Sequence, residues 1–398
     1  MTDWPVKTLG EVALVGAGNS APQDKELFKG GMHRFVRTSD VGQVRIGRLG
    51  ESADLLNDAG AEGLREFRAG VTLIPKSGAS TFLNHRVQLT KPCFVSSHLA
   101  VVDSNPEVMD DTFMFYFLQT VRSQDLIQDQ SYPSLNLPAI SSINVLVPPL
   151  EEQKRIVALL DSATARVTEL TACYEQARTH ANNLFTSAVR DALESNTDWP
   201  VKTLGDICEV FDDGDWIESK DQAPSGVRLI QTGNVGDGEF KDRSDKARFI
   251  SEPTFSRLRC TEIFPGDLLV SRLPDPVGRA CLIPDTGSKM ITAVDCTIMR
   301  PRKDIMLPRF LVSSTQTSGY REQVSAKITG ASRDRISRSN LAEVQIPVPP
   351  LEEQKLIVAR LDAMRAKTSE MVAAYDAKLT SAKNLRQSIL ESAFMGDL

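Results

Sequence analysis

From Ile156 onward, apolar or small residues fall at Ile156, Leu160, Ala163, Val167, Leu170, Tyr174, Ala177, Ala181, Leu184 and Ala188, in alternating steps of four and three. That spacing predicts a heptad seam along one face of a long helix. The same steps recur from Ile357 through Leu361, Met364, Thr368, Met371, Tyr375, Lys378, Ala382, Leu385 and Ile389, broken only by Lys378. Two helices of roughly 40 residues, about 60 Å each at 1.5 Å per residue, carry seams that neither can bury alone. They are expected to bury them on each other; the alternative is that each packs only on its own globular domain. Both seams follow one opening: Val-Pro-Pro-Leu-Glu-Glu-Gln-Lys stands at residues 147–154 and again at 348–355, 201 positions later. Its prolines suit a first helical turn, where the missing N–H is not needed. Its two glutamates sit where the positive end of the helix dipole favours carboxylates.

A second repeat marks where the unit begins again. Asp-Trp-Pro-Val-Lys-Thr-Leu-Gly occupies residues 3–10 and 198–205, an offset of 195, so the second globular part is six residues longer than the first. Fainter matches follow in order. Residues 36–42 answer to 230–236, each a short strand entering a polar, glycine-bearing turn, and 69–76 answer to 265–272, each a buried strand ending on a basic residue. An apolar stretch at 99–102 answers to 297–299, helix candidates at 111–124 answer to 308–323, and polar loops at 128–137 and 327–337 precede the strands that run into the double prolines. The expected fold is α/β (α+β): two mixed α/β domains joined by two long antiparallel coiled-coil helices, with an internal pseudo-two-fold repeat. The expected boundaries are 1–147 and 198–348 for the globular domains, 148–197 for the central helix and linker, and 349–398 for the C-terminal helix. The frame repeats nearly letter for letter while the interiors diverge, an arrangement suited to presenting two different surfaces to one extended partner.

Composition narrows the class. The net charge of −6, from 46 basic and 52 acidic residues, argues against coating nucleic acid by bulk charge but leaves room for a local basic face. Six cysteines (Cys93, Cys173, Cys208, Cys260, Cys281, Cys296) form no CxxC pair and read as reduced and mostly buried. With no signal-like N-terminal run and no long apolar segment, a soluble cytoplasmic protein is expected.

No catalytic engine is legible. The sequence lacks an Asn/Asp-Pro-Pro-Tyr stretch and a GxxxxGK[ST] loop, and Gly16 and Gly18 lack the third glycine of a dinucleotide loop. His33, His85, His98 and His180 have no metal-ligand spacing, and Asp212, Asp213 and Asp215 around Gly214 read as a solvated turn. Donor-rich loops are the chemistry that is present. Lys327, Thr329, Ser332, Arg333, Arg335, Ser337 and Arg338 crowd one, and Gln128, Gln130, Ser131, Tyr132, Ser134 and Asn136 fill the other. Guanidinium groups can fork onto guanine, amides can pair with adenine, and Lys and Ser suit phosphates.

With these doubled openings, doubled starts and heptad helices, the chain resembles the specificity subunit of Type I restriction-modification systems over essentially its whole length. Gly-Asp-Leu-Leu-Val-Ser-Arg at 266–272 is typical of that family; the first copy departs from it, reading Gly-Val-Thr-Leu-Ile-Pro-Lys at 70–76. The resemblance implies a non-catalytic subunit whose two domains each read one half of a split double-stranded DNA target. It also implies that two modification (methyltransferase) subunits dock on the frame and that restriction (endonuclease/translocase) subunits can join. S-adenosylmethionine, ATP and Mg would belong to those partners, with no membrane role and no metal or cofactor on this chain. A coiled-coil adaptor with two protein-binding domains is the alternative. Candidate DNA contacts are Arg37, Ser39, Lys76, Ser77, Gln130, Ser131, Tyr132 and Asn136 in the first domain. In the second they are Gln231, Asn234, Arg272, Lys327, Thr329, Ser332, Arg333 and Arg335. Candidate coiled-coil and partner-subunit positions are Pro149, Leu150, Ile156, Leu160, Val167, Leu170, Pro350, Leu351, Ile357, Leu361, Met371 and Leu385. Antiparallel helices would present the two reading faces in inverted orientation, with half-site centres about one helical turn of DNA apart and a gap of about six base pairs.

Overall fold

The structure, a computed structural model, describes residues 4–127, 133–194, 198–329 and 333–395. It divides into two units: residues 1–175 with 377–398, and residues 176–376. Both long helices therefore contribute to both. The first, Leu150–Glu194, and the second, Leu351–Met395, are each 45 residues long and begin 201 positions apart.

The two repeated motifs are hydrogen-bonded to one another, which explains why they travel together. In the first unit the strand Val6–Thr8 pairs antiparallel with Asn144–Leu146, and the Val147 N–H donates to the Pro5 carbonyl at 2.9 Å. In the second, Val201–Thr203 pairs with Gln345–Pro347, and the Val348 N–H donates to Pro200 at 2.7 Å. The glutamine of each helix opening is fully buried and acts as a staple. Gln153 Oε1 accepts from the Asp110 N–H (2.7 Å), while its Nε2 donates to the carbonyls of Val108 (2.9 Å) and Pro148 (2.8 Å). Gln354 repeats this, accepting from the Leu307 N–H and donating to Ile305 and Pro349, all at 2.8 Å. Buried main-chain groups at a helix start need partners, and an amide offers donor and acceptor from one side chain.

Among the described residues, each unit contains two further sheets. In the first, the strands Ala13–Ala17, Leu99–Ser104, Thr72–Pro75, Arg86–Leu89 and Ile46–Leu49 lie in that order, and Asp54–Leu56, His33–Val36, Cys93–Val95 and Glu66–Phe67 form the other sheet. In the second, Cys208–Asp213, Cys296–Pro301, Leu268–Ser271 and Ala280–Leu282 form one sheet, and Gln222–Ala223, Arg248–Ile250, Val227–Ile230 and Met290–Thr292 the other. The faint match between 99–102 and 297–299 is thus structural. Leu99–Ser104 and Cys296–Pro301 occupy the same place, each antiparallel to the buried strand of the 69–76 and 265–272 pair.

The first helix candidate is shorter than expected and the second is broken, both for local reasons. The first is Asp111–Thr120; the buried guanidinium of Arg86 takes the Leu118 and Val121 carbonyls at 2.9 and 3.0 Å and ends the helix there. The second breaks into Pro308–Ser314 and Ser318–Ala326. Hydroxyls of Ser313, Ser314, Thr315 and Thr317 all bond carbonyls three or four residues back, competing with the helical ladder, and Thr317 then caps the following helix.

The helices pack antiparallel within each unit. In the first, Ile156 and Leu160 share a core with Leu390 and Ala393, and Lys378 lies 5.3 Å over the Tyr174 ring. That contact accounts for the one charged position in the second seam. In the second unit, Val189 and Leu193 share a core with Leu361, Arg365 stacks 4.4 Å over Phe185, and Arg178 pairs with Asp376 at 2.9 Å. The helix ends thus pack on their own globular parts as well as on each other. Strict heptad spacing is not kept. Leu170 and Leu385, expected in the seam, are 45% and 50% exposed, and Leu184 is 48% exposed, whereas Phe185 and Val189 turn inward. A straight helix of 3.6 residues per turn drifts about 20° per heptad, so over 45 residues the buried stripe leaves the 3.5 register.

Candidate nucleic-acid interface

Three segments singled out in each copy meet at one corner of each unit, held by matching main-chain hydrogen bonds. In the first unit the Ser96 N–H donates to Val36 (2.9 Å), the Lys76 N–H to His98 (3.0 Å) and the Leu135 N–H to Lys76 (2.9 Å). In the second, Ala293 donates to Ile230 (2.9 Å), Arg272 to Asp295 (2.9 Å) and Ile336 to Arg272 (3.2 Å). A tight turn, 96–98 or 293–295, therefore sits between the end of the 36 or 230 strand and the basic residue Lys76 or Arg272. The donor-rich loop lies against that same residue. Lys76 and Ser77 with the loop reaching Asn136, and Arg272 with the loop carrying Thr329 and Arg335, are thus brought together.

The side chains at the two corners differ. In the first unit, a main-chain β-bridge joins Ser77 to Ser134, and exposed Asn136 caps the helix Leu137–Ser141 by accepting from the Ala139 N–H at 2.7 Å. Ser39 is exposed in the first turn of the helix Thr38–Val44. The Arg37 guanidinium lies over the rings of Phe28 and Phe35 and pairs with Asp54. Gln130, Ser131 and Tyr132 lie outside the described residues.

The second corner is richer in ions. Reciprocal main-chain bonds of 2.8 and 3.1 Å between Thr329 and Arg335 close the loop, whose Ser332 lies outside the described residues. Arg335 pairs with Asp295 at 3.2 Å, Arg338 with Asp212, and Lys327 with Glu343 at 2.7 Å. Arg333 is exposed and unpaired among the described residues. Arg272 is buried: its Nη2 bonds the Val294 carbonyl at 2.5 Å, it meets Asp213 at 3.3 Å, and its Nε has no partner among the described groups. Burial pushes its pKa below the ordinary arginine value, against the opposing pull of Asp213. Asn234 also turns inward, accepting from the Gln231 N–H and donating to the Lys241 and Asp242 carbonyls. Both residues therefore shape the corner from within.

The acidic turn at 212–215 is not the solvated turn expected. Asp212 and Asp213 pair with Arg338 and Arg272, and the half-buried Asp215 accepts from the Thr261 N–H at 3.0 Å, its pKa raised by desolvation. Sequence reasoning also missed Arg279, whose guanidinium donates to the carbonyls of Val235, Leu273, Pro276 and Thr232 and so ties the 231–235 loop to the one after Arg272. A lone arginine among glycines and prolines gives no periodic signal. Trp216, 71% exposed beside the Asp215–Ala293 bridge, was missed likewise, although a large aromatic after an acidic turn could have been flagged.

Of the frame positions, Ile156, Leu160, Val167 and Leu361 are buried within their own units, Leu150, Leu351, Ile357 and Met371 are half-buried, and Pro149 and Pro350 are exposed. Among the described residues no helix is long and apolar enough to cross a membrane.

Repeated mixed α/β units on one frame, each with a differently furnished polar corner, define a duplicated recognition subunit. The chain belongs to the Type I restriction modification DNA specificity domain family, which matches residues 1–177 and 196–380. It is 23% identical over 295 residues to the Type I restriction enzyme MjaVIII specificity subunit of Methanocaldococcus jannaschii, covering 69% of this chain and 68% of that protein. It is 32% identical over 184 residues to the EcoKI specificity subunit of Escherichia coli, covering 43% and 36%. A solved chain from work on assembly and conformational transition of the type I R-M system has a TM-score of 0.79 at 23% identity, covering 99% of this chain and 98% of that one. The HsdS subunit of Thermoanaerobacter tengcongensis gives 0.55 at 23% identity, covering 99% and 97%. These structural likenesses show the fold.

Proposed function

We propose that the chain is the DNA-reading subunit of a Type I restriction-modification complex, with each unit contacting one half of a split duplex target. One observation carries the reading: the same three main-chain bonds build the same corner in both units, and the side chains placed there differ. A constant mount with variable furniture suits two readers of different sequence. Exposed Asn136 and Ser39 and half-buried Lys76 serve the first half-site, and Arg333 with Arg335, Gln231 and Thr329 the second. The long helices, each shared by both units, set the separation between half-sites, and the exposed frame around Pro149 and Pro350 receives two modification subunits. Methyl transfer from S-adenosylmethionine, and ATP- and Mg-dependent translocation and cleavage by restriction subunits, belong to those partners in the cytoplasm; this chain supplies no catalytic group.

The test is methylation mapping of DNA from cells expressing the chain together with its partner methyltransferase. A bipartite motif with a fixed gap is expected, absent when this chain is omitted. A methylated motif that persists unchanged without the chain would overturn the reading.

A further inference from the structure

The second unit contains a basic pocket beside the corner described above, sharing Gln231 and Asn234 with it. It is a cavity of about 330 Å³ lined by Gln231, Thr232, Gly233, Asn234, Arg243, Lys246 and Arg248. No carboxylate is in that lining. Arg243, Lys246 and Arg248 are exposed, and none has an ion-pair partner among the described residues, although most arginines of this unit's corner do. The pocket is built rather than incidental. The Asn234 amide fixes its floor through three main-chain bonds, and Arg279 clamps the Thr232 and Val235 carbonyls from below. Gly233 lets the Arg243 guanidinium close over the loop, since a Cβ there would stand 2.1 Å from Nη1.

The first unit shows the contrast. Around its matching loop, Arg34, Arg37 and Arg48 each meet a carboxylate, Glu51, Asp54 and Asp161. Those three arginines meet carboxylates within their own unit, whereas Arg243, Lys246 and Arg248 cluster in one pocket with no ion-pair partner among the described residues. Because Arg279 spans the 231–235 loop and the 273–276 loop that follows Arg272, the pocket adjoins the candidate reading corner.

We propose that this pocket grips the phosphate backbone of duplex DNA beside the second half-site, through Arg243, Lys246 and Arg248, giving the second unit a sequence-independent hold. The proposal rests on the DNA-reading function above. Three cations on phosphates release about three counterions, so they add about 2.7 to the slope of log affinity against log salt.

The experiment uses the full chain and a fluorescein-labelled 40-base-pair duplex of mixed sequence, with anisotropy titrations between 50 and 200 mM salt. The variant is R243A/K246A/R248A, and R360A/K367A/K383A, three exposed cations of the second long helix, serves as the control of equal net charge. Thermal melts establish that both are folded. The pocket variant is expected to lower the slope by two to three, which removes about 40-fold of the salt-induced loss across that range, while the control lowers it by less than one. Equal slopes for parent and pocket variant, or an equal fall in the control, would overturn the pocket. A folded parent with no duplex affinity at any salt would overturn the DNA-reading function itself, and the pocket with it.

Discussion

Replacing Gln153 with leucine keeps the volume of the side chain and removes all three hydrogen bonds of the staple. The Asp110 N–H and the carbonyls of Val108 and Pro148 then lose their side-chain partner at a position that has no exposed surface in the parent. A buried polar group left without a partner costs about 1 to 3 kcal/mol, so three orphaned groups, with partial relaxation, cost about 3 to 6 kcal/mol. Against a typical domain stability of about 5 to 15 kcal/mol, that is enough to unfold a large fraction of the unit. Gln354→Leu should do the same to the second unit through Leu307, Ile305 and Pro349. Urea unfolding measures the size, and amide hydrogen exchange the location. Gln153→Leu should expose residues 105–116 while 302–311 stay protected, and Gln354→Leu the reverse. A loss below about 1 kcal/mol, or equal loosening of both regions by either variant, would refute the staple.

Arg333→Ala should weaken duplex binding: by about 1 to 3 kcal/mol with one relaxed target position if the guanidinium forks onto a base, or evenly with a salt slope lower by about one if it meets phosphate; methylation mapping and salt titration distinguish these. Asp212→Asn with Asp295→Asn frees Arg338 and Arg335 from their carboxylates, so affinity for mixed-sequence duplex should rise and its salt slope steepen; unchanged titrations would show those pairs do not compete with DNA. Four residues inserted after Ala177 add one helical turn and a little more, keeping the seam roughly in phase while offsetting its register; mapping should show a changed gap between unchanged half-sites.

The frame was legible from residues alone because it is built on strong local rules repeated twice. Proline before an acidic turn starts a helix, and an apolar stripe at helical spacing extends it. The burial of Gln153 and Gln354 was not legible, since a glutamine between Glu152 and Lys154 looks like part of a solvated face until the 105–110 and 302–307 turns close over it. The helical middle was read too rigidly, as Leu170 and Leu385 show. At the corners, the segments singled out in the sequence come together, because turn residues follow short strands there. It could not say which side chains turn inward. Arg272 and Asn234 carry the chemistry of base readers, yet Val294 and Asp213, distant in sequence, draw the first inside, and the carbonyls of Lys241 and Asp242, in the loop that follows, draw in the second. The acidic turn was misjudged for the same reason, its arginine partner at 338 standing 126 positions away.

The most direct test of the central claim is an exchange of one interior within the constant frame. Residues 206–345 are replaced by the equivalent span from another member of the family, and DNA methylated in cells with the partner methyltransferase is mapped beside the parent. One half of the target should change, with the other half and the gap retained. A change in both halves, or in neither, would contradict two independent readers held on one frame.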